Sequence, residues 1–180
     1  MKKYQEWKRD YPEFQPNLTP REIFTRGSFG GGYWRPINSG VLHKKLSNRH
    51  HHKNISTLFR GIPEKKLSST IYDANVNKYQ VSCGSTLEAW ESKNWIKAQD
   101  PYGWVEWYCH FYQGRRSADD RRQIDRWLAL AGPRGRFRVR LINMIRNKNT
   151  SVNDYSVSPV IRQTLQHWGY TLRANDIIRS

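Results

Sequence analysis

The chain has 180 residues, 31 of them Lys or Arg and 15 Asp or Glu, for a formal net charge of +16. Eight Trp, ten Tyr and six Phe carry enough large apolar surface for a buried core, which excludes a disordered basic tail. No apolar run approaches the roughly 18 to 20 residues that cross a bilayer, and the first residues lack the apolar stretch of a secretory signal.

The expectation is a soluble, intracellular protein with an N-terminal arm over 1–18 and a single domain over 19–180. Cys83 and Cys109 do not make a disulfide framework and are expected to be reduced. So large an excess of like charge repels itself, and a polyanion relieves that repulsion, which makes nucleic acid the leading partner. A membrane surface is disfavoured, because the apolar stripes are needed for a core.

Residues 1–18 mix charge, aromatics and two prolines without period, and read as an arm packing through Tyr4, Trp7, Tyr11 and Phe14. Thr19-Pro20-Arg21-Glu22 is a capping box with Pro at the first helical position, predicting a helix over 20–26 that stops at Gly27. Gly27-Ser28-Phe29-Gly30-Gly31-Gly32 has neither P-loop nor dinucleotide-fold spacing, so it reads as a tight turn passing close to packed aromatics.

Residues 38–82 form an irregular basic segment with β-prone pieces such as 76–82, and a linker fits only within 43–70. The run His50-His51-His52 reads as a solvated basic loop, because adjacent imidazoles diverge while a structural metal site needs converging ligands.

Helix punctuation is dense over 85–172, predicting a helical bundle. Ser85-Thr86-Leu87-Glu88 is a capping signature. Asp100-Pro101 is expected to open a helix in which Trp104, Trp107, Tyr108, Phe111 and Tyr112 form one buried face before Gly114. Ser117 and Asp120 cap a third helix carrying Ile124, Trp127, Leu128 and Ala131, broken at Gly132-Pro133. A fourth segment over 134–147 groups Phe137, Leu141, Met144 and Ile145. Ser158-Pro159 opens a fifth with Ile161, Leu165 and Trp168. The fold class is mainly α, with an irregular, aromatic-rich N-terminal half packed on the bundle.

Several blocks stand out in order: Leu18-Thr19-Pro20 with Gly27-x-Phe29-Gly30-Gly31-x-Tyr33; Trp90 to Trp95 followed by Asp100-Pro101-x-Gly103-Trp104-x-x-Trp107-Tyr108-Cys109; Gly114-Arg115-Arg116; Asp120-x-x-Gln123-Ile124-x-Arg126-Trp127; and Ile161-Arg162-Gln163-x-Leu165-x-His167-Trp168. In these the chain resembles a functionally uncharacterised family of small basic proteins from bacteria, fungi and large DNA viruses. The resemblance carries no activity, cofactor or catalytic residue with it, and implies only that the blocks act as one unit. The chain departs from that pattern at Glu106 and His110, where the family tends to carry Gln and Arg.

The strongest functional signal lies between Gly114 and Lys148, where eleven basic residues, ten of them Arg, face only Asp119, Asp120 and Asp125, a net charge of +8. Arg meets phosphate bidentately and stacks on bases, so this composition points to phosphate binding, with Arg115, Arg116, Arg134, Arg136, Arg138 and Arg140 as expected contacts. Gly132-Pro133-Arg134-Gly135 is expected to form a mobile approach loop. Outside the helical stripes, Tyr33, Trp34 and Tyr102 remain as candidates for base stacking.

DNA is preferred to RNA because no RNA-binding signature is present. An alternative is a divalent-metal-dependent nucleic-acid-processing enzyme using Glu106 and His110, four apart on one helix, with Asp119 or Asp120. A structural component of a ribonucleoprotein or virion is another. No HExxH, CxxC, GxSxG or P-loop occurs, so a non-enzymatic binding protein is favoured, with no cofactor and no metal. His167 reads as a structural histidine whose imidazolium suits a helix C-terminus. Cys109 reads as a small buried hydrophobe.

Overall fold

The computed structural model describes residues 3–48 and 52–179. The chain is mainly α, and its one sheet among the described residues is a hairpin of β1 (Ile37–Ser39) and β2 (Lys44–Leu46). Arg49, His50 and His51 lie outside the described residues, and with them the expectation of a solvated histidine loop.

The arm begins as a helix, α1 (Lys3–Asp10), against the expectation of an aperiodic segment; Tyr4, Trp7 and Tyr11 do fall at i, i+3 and i+7. Trp7 and Phe14 are fully buried. Phe14 meets Trp104, Trp107, Tyr108, Phe111 and Trp127 at ring-centroid distances of 5.2–6.4 Å, mostly edge to face, the geometry that ring quadrupoles favour. The arm is thus a plug in the core. It is tied to the C-terminal segment where the Leu18 and Asn17 N–H groups donate to the Gly169 carbonyl, and where Asn17 exchanges two hydrogen bonds with Thr171.

Helix α2 (Pro20–Thr25) starts with the expected capping box. The Thr19 hydroxyl accepts from the Glu22 N–H, and the Glu22 carboxylate accepts from the Thr19 N–H. Its apolar face, Ile23 and Phe24, is buried. The chain then turns at Gly27, whose φ of 95° places it in the region that side chains avoid, and a Cβ there would lie 1.9 Å from the Val76 carbonyl oxygen. The carbonyls of Gly27, Gly30 and Gly31 accept from the N–H groups of Lys78, Asp73 and Ser69. The glycine run is the expected tight turn, and it also receives the backbone of segment 69–78, which uses its polar groups.

That pairing explains why 43–70 is not a linker. Ile55, Phe59, Ile62 and Leu67 are all buried, Ile55 in the short α3 (His52–Ile55) and the rest in 3-10 turns and loops. Residues 76–82 form no strand, because their hydrogen bonds go to the glycine turn and to the Gln163 side chain rather than to a ladder.

Helix α4 (Leu87–Ser92) is capped by Thr86, one residue later than the Ser85 register, since the Thr86 hydroxyl accepts from the Ala89 N–H. Helix α5 (Trp104–Tyr112) begins after Gly103 (φ 96°) rather than at Asp100. It is the axis of the protein, buried on nearly every side from Trp104 to Phe111, which is the composition expected of a central helix. Helices α2, α3 and α6 (Asp120–Ala131) pack against it; α7 (Arg136–Asn147) packs on α6, and α8 (Pro159–His167) and a short α9 (Ala174–Arg179), absent from the sequence expectations, pack on α7. Ile124, Trp127 and Ala131 of α6, Leu141 and Ile145 of α7, and Ile161 and Leu165 of α8 face inward. Met144 is the exception, 37% exposed on the outer side of α7.

Segments far apart in the chain are joined by buried hydrogen bonds. Tyr33 donates to the Tyr102 carbonyl, Trp107 donates to Asp120, and Gln163 and Gln166 both donate to the Gly27 carbonyl.

Candidate functional site

The arginines expected to meet phosphate divide into two sets. Arg115 lays its two terminal nitrogens on the Asp100 carboxylate at 2.8 and 2.5 Å. Arg138 pairs with Asp176 at 2.6 Å and lies over the Tyr170 ring. These two are structural, and expecting them on a ligand is corrected by acidic partners that are distant in sequence. Arg121 is likewise held by Glu13 and Asp125, and Arg122 by Asp119.

Arg116, Arg134, Arg136 and Arg140 are exposed and have no carboxylate partner among the described residues. Arg116 donates to the carbonyls of Phe111 and Arg115. Arg136 and Arg140 are one helical turn apart and share a face of α7. Arg134 precedes them in a turn closed by a 2.8 Å hydrogen bond from the Gly135 N–H to the Gly132 carbonyl. Both glycines are buried, and a Cβ on Gly135 would lie 2.5 Å from the Leu130 backbone. The expected mobile loop is instead a tight turn clamped to the end of α6.

The three rings proposed for stacking are in the core. Tyr33, Trp34 and Tyr102 are 4%, 0% and 3% exposed, so none offers a face to a base. Burial, with the neighbouring Glu106, pushes the Tyr33 hydroxyl well above its ordinary pKa and that of Tyr102 to about 12. They fill the space between α5 and the glycine turn, a role that helical periodicity does not reveal for residues outside helices.

The acid and base candidates also rearrange. Ligand atoms of Asp100, Glu106 and His110 lie within 4.8 Å of one another. Asp119 and Asp120 are not in that group. Asp120 accepts from the Trp107 indole at 2.8 Å and from the N–H and hydroxyl of Ser117, so it ties the preceding turn to α6; the expected cap by Ser117 and Asp120 is corrected, since the N-cap position is Asp119 and makes no side-chain capping bond. Within the cluster, Asp100 is taken by Arg115 and Gln99, and Glu106 accepts from the Tyr102 N–H at 2.8 Å. These groups serve as a buried polar network that fixes the start of α5, and no metal is assigned to them.

His167 is buried against Phe29, its ring 3.9 Å away and nearly parallel. Its Nε2 accepts from the Phe29 N–H at 3.1 Å and faces the Gln163 amide, also at 3.1 Å. It is structural, as expected, but as neutral imidazole: burial lowers its pKa to about 3, and desolvation outweighs the helix end that favours the cation. Its Nδ1 lies 3.7 Å from Cys83 Sγ. Both cysteines are free thiols, Cys83 half-buried and Cys109 fully buried, and burial raises both thiol pKa values.

One feature escaped the sequence reading altogether. A cavity of about 590 Å³ opens between α4, α6 and the start of α7, with Arg126, Arg136, Phe137 and Trp168 in its wall. No single segment carries its pattern, because its lining comes from widely separated parts of the chain. No helix among the described residues is long and apolar enough to cross a membrane. No protein-family model, curated protein or solved structure matches the chain, so this geometry carries the functional reading by itself.

Proposed function

We propose that the chain binds nucleic acid, DNA in preference to RNA, through the arginines at the start of α7. The observation that carries the reading is a local conflict. The first turn of α7 holds Arg136 and Arg138 and no acidic residue, only Arg138 is offset by a carboxylate, that of Asp176, Arg134 stands two residues before the helix, and Gly135 supplies no side-chain cap. A helix N-terminus is the positive end of its dipole and favours Asp or Glu, so the unpaired Arg136 there is unfavourable by about 0.3–1 kcal/mol. The other long helix of the same length, α6, follows the rule with Asp120 in its first turn. An anion placed at the α7 terminus turns the conflict into attraction, since exposed N–H groups and guanidinium forks then face the same phosphate oxygens.

Arg134, Arg136 and Arg140 are the central contacts, with Arg116 as an outer one. Recognition is of backbone charge and shape, because the exposed partners are arginines rather than Asn or Gln placed to read base edges. The net charge of +16 steers the approach. Binding measured against salt tests this. With three to four phosphates neutralised, log K on duplex DNA falls against log salt with a slope of about −3. Triple replacement of Arg134, Arg136 and Arg140 by Gln should remove most of that slope with the fold intact, because none of the three makes an ion pair among the described residues.

A further inference from the structure

The cavity beside α7 shares Arg136 with the proposed phosphate surface. Its inner wall includes Trp104 and Ile96, both buried, and its open side carries the half-buried rings of Trp90, Trp95, Phe137 and Trp168. A volume of about 590 Å³ lies within the range of small-ligand sites.

Arg126 gives the cavity its chemistry. Its guanidinium carbon lies 5.3 Å from the ring centroids of both Trp95 and Trp168. Its Nη1 donates to the Trp95 carbonyl at 3.3 Å and to Gln123 Oε1 at 2.9 Å. No carboxylate pairs with it among the described residues. The carboxylate that acts on it, Asp119, is already paired with Arg122, whose own charge opposes that of Arg126; a guanidinium withdrawn from water and so weakly compensated is costly to the fold, and an anion in the cavity adds the missing counter-charge. Arg35, also in the wall, has no acidic partner either, and the acidic residue of the lining, Glu88, is exposed.

Flat aromatic walls beside guanidinium groups with no carboxylate paired to them among the described residues suit a ligand that joins a flat ring to an anionic group. We propose that the cavity takes the base of a nucleotide, stacked among the tryptophans, with its phosphate on Arg126 and Arg136. The nucleotide arrives either free or extruded from a strand held along α7; only the second source rests on the nucleic-acid reading above. Stacking tolerates any base, since every base has a π face, and the cation contributes to it.

Cys83 lines the same cavity and is half-buried, whereas Cys109 is fully buried, so alkylation of the folded protein by N-ethylmaleimide reports on Cys83. The alkylation rate of the full chain is measured with AMP, adenosine, ribose 5-phosphate and benzoate, and then with a short oligo(dA) strand and a blunt duplex. At ten times its Kd, AMP is expected to slow alkylation about tenfold. Adenosine should need a higher concentration, and ribose 5-phosphate and benzoate should give no protection. Arg126→Gln should erase the advantage of AMP over adenosine. Arg136→Gln, at the exposed start of α7, should weaken AMP several-fold without changing the melting temperature, which keeps the test sound if the Arg126 variant misfolds. Protection by the strand but not by the duplex supports extrusion, and protection by AMP alone supports the free nucleotide. No protection by AMP, or protection by benzoate as strong as by AMP, overturns the proposal. If nucleic acid binds while nothing protects Cys83, the cavity inference fails and the α7 reading stands. If AMP protects while no nucleic acid binds, the reverse holds.

Discussion

Arg115 closes on the carboxylate of Asp100, a group 1% exposed, through two parallel hydrogen bonds, and so pins the loop before α5 to the segment after it. Such a pair is weak evidence of net stability while intact, but removing one partner strands the other. Asp100→Ala should therefore destabilise the protein by about 2–3 kcal/mol, below the usual range for a fully buried pair because the Arg115 side chain keeps 28% exposure and can turn toward water. Urea unfolding of the variant measures this. A loss within experimental error would show that the pair is ornamental.

The Phe29–His167 stack makes stability depend on pH. His167 titrates near 6.5 when unfolded and near 3 in the fold, so the unfolded chain takes the proton first. Its contribution is complete above about pH 6.5 and is lost as pH falls toward 3, at about 1.4 kcal/mol per unit. Between pH 7 and pH 5 the loss from this group is about 2 kcal/mol. Carboxylates also titrate on the acid side, so the difference between the wild type and His167→Gln isolates the histidine: the variant should lose about 2 kcal/mol less over that interval. Equal slopes would mean that the imidazole is accessible to water.

Thr19 holds α2 by a reciprocal pair of hydrogen bonds with Glu22. Thr19→Ala should cost about 1 kcal/mol, and Thr19→Ser much less, since Ser caps as well as Thr. Thermal unfolding of the two variants side by side distinguishes loss of the cap from loss of the methyl group's packing.

What could be read from the sequence was local. The capping box at Thr19, the glycine turn, the stop at Gly132-Pro133 and the inward stripe of Ile124 and Trp127 each depend on residues within one or two turns of each other, and each is present. What escaped depends on partners far apart in the chain. Nothing near Arg115 signals that Asp100, fifteen residues earlier, will take it out of the phosphate surface, and Arg138 meets Asp176 from the last helix. Counting charge along the chain therefore overstated the number of available cations. The stacking candidates failed for a related reason, since Tyr33, Trp34 and Tyr102 lie in loops whose burial is decided by what packs over them. The cavity is assembled from at least three helices and two loops, which no linear window spans.

Affinity for duplex and single-stranded DNA across a salt series, for the wild type and the Arg134→Gln/Arg136→Gln/Arg140→Gln variant, tests the central claim most directly. The slope of log K against log salt should be about −3 on duplex and about −2 on single strands, reduced by about one for each arginine removed. An unchanged slope in the variant, or a flat salt response in the wild type, would contradict it.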